Sequence, residues 1–195
     1  MVDFLSAEYW NQRYIKNAAQ WDLGTISPPL KAYIDQLPNK NISILIPGAG
    51  NSYEAIYLLE QGFTNITVID IAPAVIQLLQ NRYKNQSAIQ FVETDFFDWK
   101  GQYDLIVEQT FFCALHPDLR QQYVSKMSTL LSENGKLVGL LFNRAFENGP
   151  PFGGDIHSYQ SLFEKHFQID RMDPCYNSVA PRAGTELFFK VSRKK

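Results

Sequence analysis

Cysteine is nearly missing from this sequence: Cys113 and Cys175 are the only two in 195 residues, and neither is flanked by a second cysteine or by a metal-ligand pattern. That excludes a disulfide framework and a cysteine-built metal site, and points to reduced thiols in a cytoplasmic protein. Long apolar runs are missing too; none approaches the roughly 18 residues of a membrane span. The chain opens Met-Val-Asp, with an acid where a secretory signal would carry basic charge. Nor is there an excess of positive charge: the formal net charge is −2, and the one dense basic run, Arg193-Lys194-Lys195, reads as a solvated tail. A nucleic-acid partner, which needs a broad positive field, is therefore excluded.

What is present is a generous apolar fraction, 45%, enough for a single domain over residues 1–195 with a central sheet covered on both faces. Short β-branched runs alternate with amphipathic segments, the pattern of a parallel sheet wrapped by helices. Strands are expected at Ile42–Ile46, Ile66–Ile69, Ile89–Val92, Leu105–Val107 and Lys136–Leu141. Pro73 suits the first turn of one helix and Pro117 that of another, running through Tyr123, Met127 and Leu130. Asn51 and Glu54 have the spacing of a capping box, and Gly62 is a good stop for the helix they would open. An N-terminal helix is expected from about Ser6 to Gln20. The last third holds a Gly/Pro-rich loop, a short helix near Ser158–Lys165, and strands Phe167–Met172 and Glu186–Val191, read as an antiparallel pair.

The chemistry begins at Ile46-Pro47-Gly48-Ala49-Gly50-Asn51, between the first strand and a helix, where the backbone must turn tightly and let a ligand come close. Asp70 ends the second strand 20 residues after Gly50, where a carboxylate can accept from both hydroxyls of a ribose. A dinucleotide fingerprint would place a third glycine at position 53, which is Tyr53. The turn thus leaves room for a nucleoside but encodes no pyrophosphate cradle, which favours S-adenosylmethionine (SAM) over a nicotinamide cofactor. After the third strand, Asp95 can accept from an adenine amine while Phe96 or Phe97 covers the ring. Glu108 and Gln109 end the fourth strand at the carboxyl edge of the sheet, where open α/β folds bind ligands.

These residues, taken with Tyr9-Trp10-x3-Tyr14, Trp21-Asp22-x-Gly24, Pro28-Pro29, Phe111-Phe112-Cys113-Ala114-Leu115, Arg120 and Gly149-Pro150-Pro151-Phe152, resemble the thiopurine S-methyltransferase family, within it the halide and thiol methyltransferases. The resemblance covers nearly the whole chain. It implies a Rossmann-like α/β fold with seven strands, mostly parallel with the last antiparallel, and helices on both faces. It also implies a cofactor-covering segment over residues 1–40 ahead of a catalytic core at 41–195. Trp10, Tyr14 and Trp21 are implied to cover SAM, with Gly24 turning the segment. Gly48 and Gly50 would lie at the amino-acid end, Asp70 and Ile71 at ribose and adenine, Asp95 and Phe96 at the adenine, and Gln109 near the sulfonium or carboxylate. Tyr14 stands where tryptophan is frequent and adds a hydroxyl.

The expected reaction is methyl transfer from SAM to a small-molecule acceptor: a thiol, thiocyanate, halide or thiopurine-like sulfur. Such nucleophiles need positioning more than activation, so no metal and no triad are called for. Glu108 is the candidate base or orienting group. Phe111, Phe152, Tyr176 and Arg182 are the candidate acceptor contacts, and Arg120 is expected to pair with a carboxylate. Two alternatives stand beside this: a nicotinamide-dependent oxidoreductase, sharing the strand-glycine-helix-acid pattern, and a SAM-binding module without catalysis. A domain of this size can act as a monomer.

Overall fold

A computed structural model describes residues 3–194 except positions 17, 19, 20 and 49. The expected helix end at Gln20 and Ala49 of the glycine turn therefore lie outside the described residues. One sheet of seven strands organises the rest, in the order β3-β2-β1-β4-β5-β7-β6. The strands are β1 Ile44–Pro47, β2 Ile66–Asp70, β3 Ile89–Glu93, β4 Tyr103–Gln109, β5 Leu131–Phe142, β6 Phe167–Pro174 and β7 Glu186–Arg193. The first five run parallel, while β7 is antiparallel to both β5 and β6. Seven strands, mostly parallel with the last antiparallel, and helices on both faces are what the resemblance implies. The strand order reverses between β1 and β4, opening a crevice at the carboxyl ends of the strands, beside Pro47, Asp70 and Gln109.

Period-two alternation divides the apolar side chains between two cores. Ile44, Ile46, Val68, Leu105 and Val107 pack with Leu30, Leu58 and Leu79, which belong to helices α2 (Pro28–Ile34), α3 (Tyr53–Glu60) and α4 (Pro73–Arg82). Leu45, Ile69, Ile106 and Leu137 face the other way, onto Tyr123 and Met127 of α5 (Arg120–Leu130) and Phe163 of α6 (Ile156–Phe163). Both faces are thus covered, which is why the central strands β1 and β2 are buried along their whole length.

Four local expectations change. Helix α1 is Ala7–Ile15, shorter than Ser6 to Gln20. Trp21 packs edge-on to Trp10 and Tyr14, at centroid separations of 5.6 and 6.0 Å. A helix continued from Tyr14 would carry residue 21 roughly 10 Å along the axis, beyond such contact. Asn51 and Glu54 form no capping box: the N-cap of α3 is Ser52, in the left-handed region at φ 58°, with no side-chain cap bond. The Glu54 carboxylate instead accepts from Ser27 N at 3.1 Å. Pro117 opens a 3-10 turn, Pro117–Leu119, and α5 follows it. Helix α6 begins at Ile156, ahead of Ser158, because Asp155 accepts from the amides of His157 and Ser158.

Helix α4 has no side-chain cap of its own; Ala74 N donates to Asn11 Oδ1 of α1 at 2.9 Å, joining the N-terminal segment to the body.

Gly139 lies in β5 between β4 and β7, and a Cβ there would stand 2.6 Å from Glu108 O and 2.8 Å from the Phe189 ring. Gly139→Ala is expected to lower the unfolding free energy by about 1–3 kcal/mol, as overpacked cores do. A urea titration checks it; an unchanged midpoint would mean the sheet relaxes freely there.

Candidate functional site

A cavity of about 540 Å³ occupies the crevice, within the roughly 300–1,000 Å³ range of small-molecule sites. Its floor is the turn after β1. Gly48 has φ 74° and donates its amide to Ile69 O at 2.8 Å; a Cβ added there would stand 2.7 Å from Phe111 Cδ2. Gly50 follows at φ 49° and Ser52 at 58°. This left-handed backbone keeps the turn low and leaves space above it for a ligand. Tyr53, at the missing third glycine, reaches Asp22 Oδ2 through its hydroxyl at 3.3 Å.

Asp70 and Ile71, at the end of β2, both line the cavity. The Asp70 carboxylate is almost buried and accepts from Ala72 N at 2.8 Å. Asp95 and Phe96, after β3, also line it; Asp95 Oδ1 accepts from Phe97 N at 2.8 Å, which orients the loop. The buried Phe96 ring packs edge-on to Phe97 and Phe111, both at 5.1 Å. Gln109 contributes a buried Oε1 with no hydrogen-bond partner among the described residues. Such an atom calls for a donor from the cavity.

The N-terminal segment roofs this space with Trp10, Tyr14 and Trp21. Burial first, then the nearby Asp70 charge, pushes the Tyr14 hydroxyl well above the ordinary phenol range, so it stays neutral. Several bonds fasten the segment down. Asp22 accepts from Gly24 N at 2.8 Å, from the Asn51 side-chain amide and from Tyr53. Glu54 holds Ser27 N, and burial raises its carboxyl above the usual range while that amide opposes the rise. Arg182 donates to Trp21 O at 2.9 Å. Gly24 turns the chain at φ 72° but does not line the cavity.

The acceptor end differs from expectation. Glu108 does not reach the cavity: it is fully buried, and its Oε1 accepts from the amides of Phe111 and Phe112 at 2.7 and 2.8 Å. Adjacent strand residues point to opposite faces, so once Gln109 faces the crevice Glu108 cannot. Desolvation raises its carboxyl to about 7 against the lowering effect of the two amides. Tyr176 is 83% exposed and does not line the cavity. Phe152 is also outside the lining; its ring packs against Gly149 and edge-on to His116 at 5.6 Å. Phe111 does line it, with Phe142, Phe146, Pro150 and Pro151. Arg182 lines it too, but Nη1 is paired with buried Glu186 at 3.3 Å and Nη2 with Trp21 O, so it is not a vacant anion anchor. Arg120 binds the carbonyls of Phe152 and Gly153 at 3.3 and 2.8 Å, where a carboxylate partner was expected. Burial pushes the Cys113 thiol up, and it donates to Thr110 O at 3.2 Å.

Among the cavity residues that sequence reasoning missed are Arg13, Phe142, Arg144 and Phe146, and Asp22 in its role as a fastener. Arg13 follows Trp10 by three positions on α1, a helical spacing that carried the signal. Nothing near Arg144 in the sequence marks it.

The left-handed turn, the acid at the end of β2, the aromatic roof and the vacant Gln109 acceptor fit a sulfonium nucleoside. Comparison with known proteins agrees. The family model for thiopurine S-methyltransferase matches residues 5–188. The probable thiol methyltransferase 2 of Arabidopsis thaliana is 27% identical over 184 residues, covering 91% of this chain and 81% of the relative. Thiocyanate methyltransferase 1 of Brassica oleracea is 24% identical over 185 residues, with the same 91% and 81%. Among solved structures, the 1,6-didemethyltoxoflavin-N1-methyltransferase of Burkholderia thailandensis, bound to S-adenosylhomocysteine, superposes with a TM-score of 0.77 at 19% identity, covering 97% of this chain and 87% of that one.

The Glu108 carboxyl gives a stability signature. Its folded value, about 7, lies above the ordinary 4.5. The folded state therefore holds the proton more tightly, and stability present at low pH is lost as pH rises through 7. Urea titrations at pH 5 and pH 8 are expected to show a loss on the order of 1–3 kcal/mol from this group, and a smaller loss in Glu108→Gln, which stays neutral. An identical pH dependence in both proteins would remove Glu108 as the source.

Proposed function

The chain belongs to the thiopurine S-methyltransferase family and is a SAM-dependent methyltransferase, and from that premise we propose that it methylates a small soft nucleophile: a thiol, hydrosulfide, thiocyanate, halide or thiopurine-like sulfur. The nicotinamide alternative gives way to this. One observation carries the acceptor reading: the acceptor end of the cavity is walled by Phe111, Phe142, Phe146, Pro150 and Pro151, while Glu108 is turned away behind β4. An acceptor that needs no protein base suits such a wall.

Placement in the cavity supports the following roles. Gly48 and Gly50 give the amino-acid end of the cofactor room above the turn. Asp70 takes the ribose hydroxyls, Ile71 and Phe96 hold the adenine faces, and Asp95 takes the exocyclic amine. Gln109 Oε1 accepts at the amino-acid end. The rings of Trp10, Tyr14 and Trp21 favour positive charge beside them, by about 1–2 kcal/mol once desolvated, and exclude water. When bound, SAM supplies an electrophilic methyl carbon: the acceptor lone pair bonds to it as the bond to the cofactor sulfur breaks, leaving neutral S-adenosylhomocysteine. The enzyme's share is to hold acceptor, carbon and leaving sulfur in line. A thiol loses its proton to solvent before it enters.

Two measurements test this. Asp70→Asn keeps an acceptor for Ala72 N but removes the charge, and is expected to weaken SAM binding about tenfold, as loss of charged hydrogen bonds does; unchanged affinity by calorimetry in a folded variant removes the ribose role. S-adenosylhomocysteine release is expected with at least one of iodide, thiocyanate, hydrosulfide, thiophenol and a thiopurine. For thiols, kcat/KM rises with pH along each acceptor's own ionisation. One shared apparent pKa for all thiols would put a protein base into the step, and SAM binding without turnover of any acceptor would count against the soft-nucleophile reading.

A further inference from the structure

We propose that Arg144 is a specificity-determining residue that favours acceptors carrying a second anionic group, such as a carboxylate, remote from the nucleophilic sulfur. This rests on the methyl-acceptor reading of the same cavity. Three arginines line that cavity, and they are in different states. Arg182 is neutralised by Glu186 and spends its other terminal nitrogen on Trp21 O. Arg13 belongs to the roof, where its guanidinium lies against Tyr9 and Trp21 and Nη1 donates to the Tyr9 hydroxyl. Arg144 alone of the three is exposed, and its guanidinium makes neither a hydrogen bond nor an ion pair with any described residue.

Its position is fixed although its donors are open. Arg144 stands two residues beyond the end of β5, and its carbonyl accepts from Gly154 N at 3.1 Å. The loop is pressed so close that a Cβ on Gly153 would fall 1.7 Å from that carbonyl oxygen. The guanidinium lies 4.8 Å from the centre of the Phe146 ring, which packs edge-on to Phe142 at 5.1 Å. An aromatic strip therefore runs from the interior to an open cation at the rim. The acids of the lining, Asp22, Glu54, Asp70 and Asp95, belong to the roof fastenings, the glycine side and the ends of β2 and β3, and none pairs with Arg144. A planar guanidinium with free donors matches a carboxylate in two-point geometry. An acceptor with sulfur inside and an acid outside fills both ends; the acid keeps its charge throughout and takes no part in bond making.

The test compares 4-mercaptobenzoate with thiophenol, both of which attack through sulfur and differ by one remote carboxylate. The ratio of their kcat/KM values is internal to each protein, so a loss of folded enzyme lowers both alike. In Arg144→Met the ratio (acid over thiophenol) is expected to fall about fivefold, the size of a solvent-exposed charge pair. In Arg144→Lys most of it is kept, and in the parent it shrinks with added salt. The same ratio in parent and Arg144→Met overturns the role of Arg144 while leaving the soft-nucleophile reading intact. Failure of both thiols with calorimetrically verified SAM binding overturns the two together.

Discussion

Everything in the site depends on the contact between Gly48 and the Phe111 ring, which leaves no room for a side chain on the glycine. The turn after β1 and the corner after β4 are thereby pressed together across the switch in strand order. Glu108 sets the corner from behind by holding two successive amides, and Thr110 takes up the sharp bend at φ 59°. The Phe111 ring then serves two sides of the cavity: it packs edge-on to Phe96 at the end of β3, and it lines the wall shared with Phe142, Phe146, Pro150 and Pro151. A buried carboxylate is an expensive way to fix a corner. Here the two amides offset part of its desolvation, and what remains appears as the raised carboxyl value.

The roof is held differently. Its fastenings are scattered over the body: Asn51 and Tyr53 beside the glycine turn, Glu54 in α3, Arg182 ahead of β7, and the first turn of α4. Each is a single hydrogen bond or a small cluster, worth about 0.5–1.5 kcal/mol net, or somewhat more where a charge takes part. Two of them bind main-chain atoms of the segment, Ser27 N and Trp21 O, and the others bind the side chains of Asp22 and Asn11, so its path is fixed while the rings of Trp10, Tyr14 and Trp21 are left to face the cavity.

The sheet was legible in the sequence because strands buried on both faces must be written as apolar runs, and β1, β2, β4 and β5 are. The glycine turn and Asp70 were legible because their spacing is set by one βαβ unit, a local matter. What the sequence hid is what distance along the chain hides. Arg182 and Trp21 are 161 residues apart, and Ser27 and Glu54 are 27 apart. A loop arginine reads as an acceptor contact until its two partners are seen. Glu54 looks like a cap because the capping rule is local, whereas its partner is a tertiary one. Glu108 and Gln109 were both read as facing the ligand although strand alternation permits only one of them to do so. Tyr176, in a loop with no periodicity to orient it, proves to be exposed.

The bond from Ala74 N to Asn11 Oδ1 makes the roof part of a helix it does not belong to. Helix α4 starts without a residue of its own to satisfy its leading amides. Water satisfies such an amide about as well, so the worth of this bond lies less in its enthalpy than in tying the path of the N-terminal segment to the first turn of α4. That turn follows Asp70 and Ile71 directly, so the roof and this edge of the cavity are joined through one hydrogen bond.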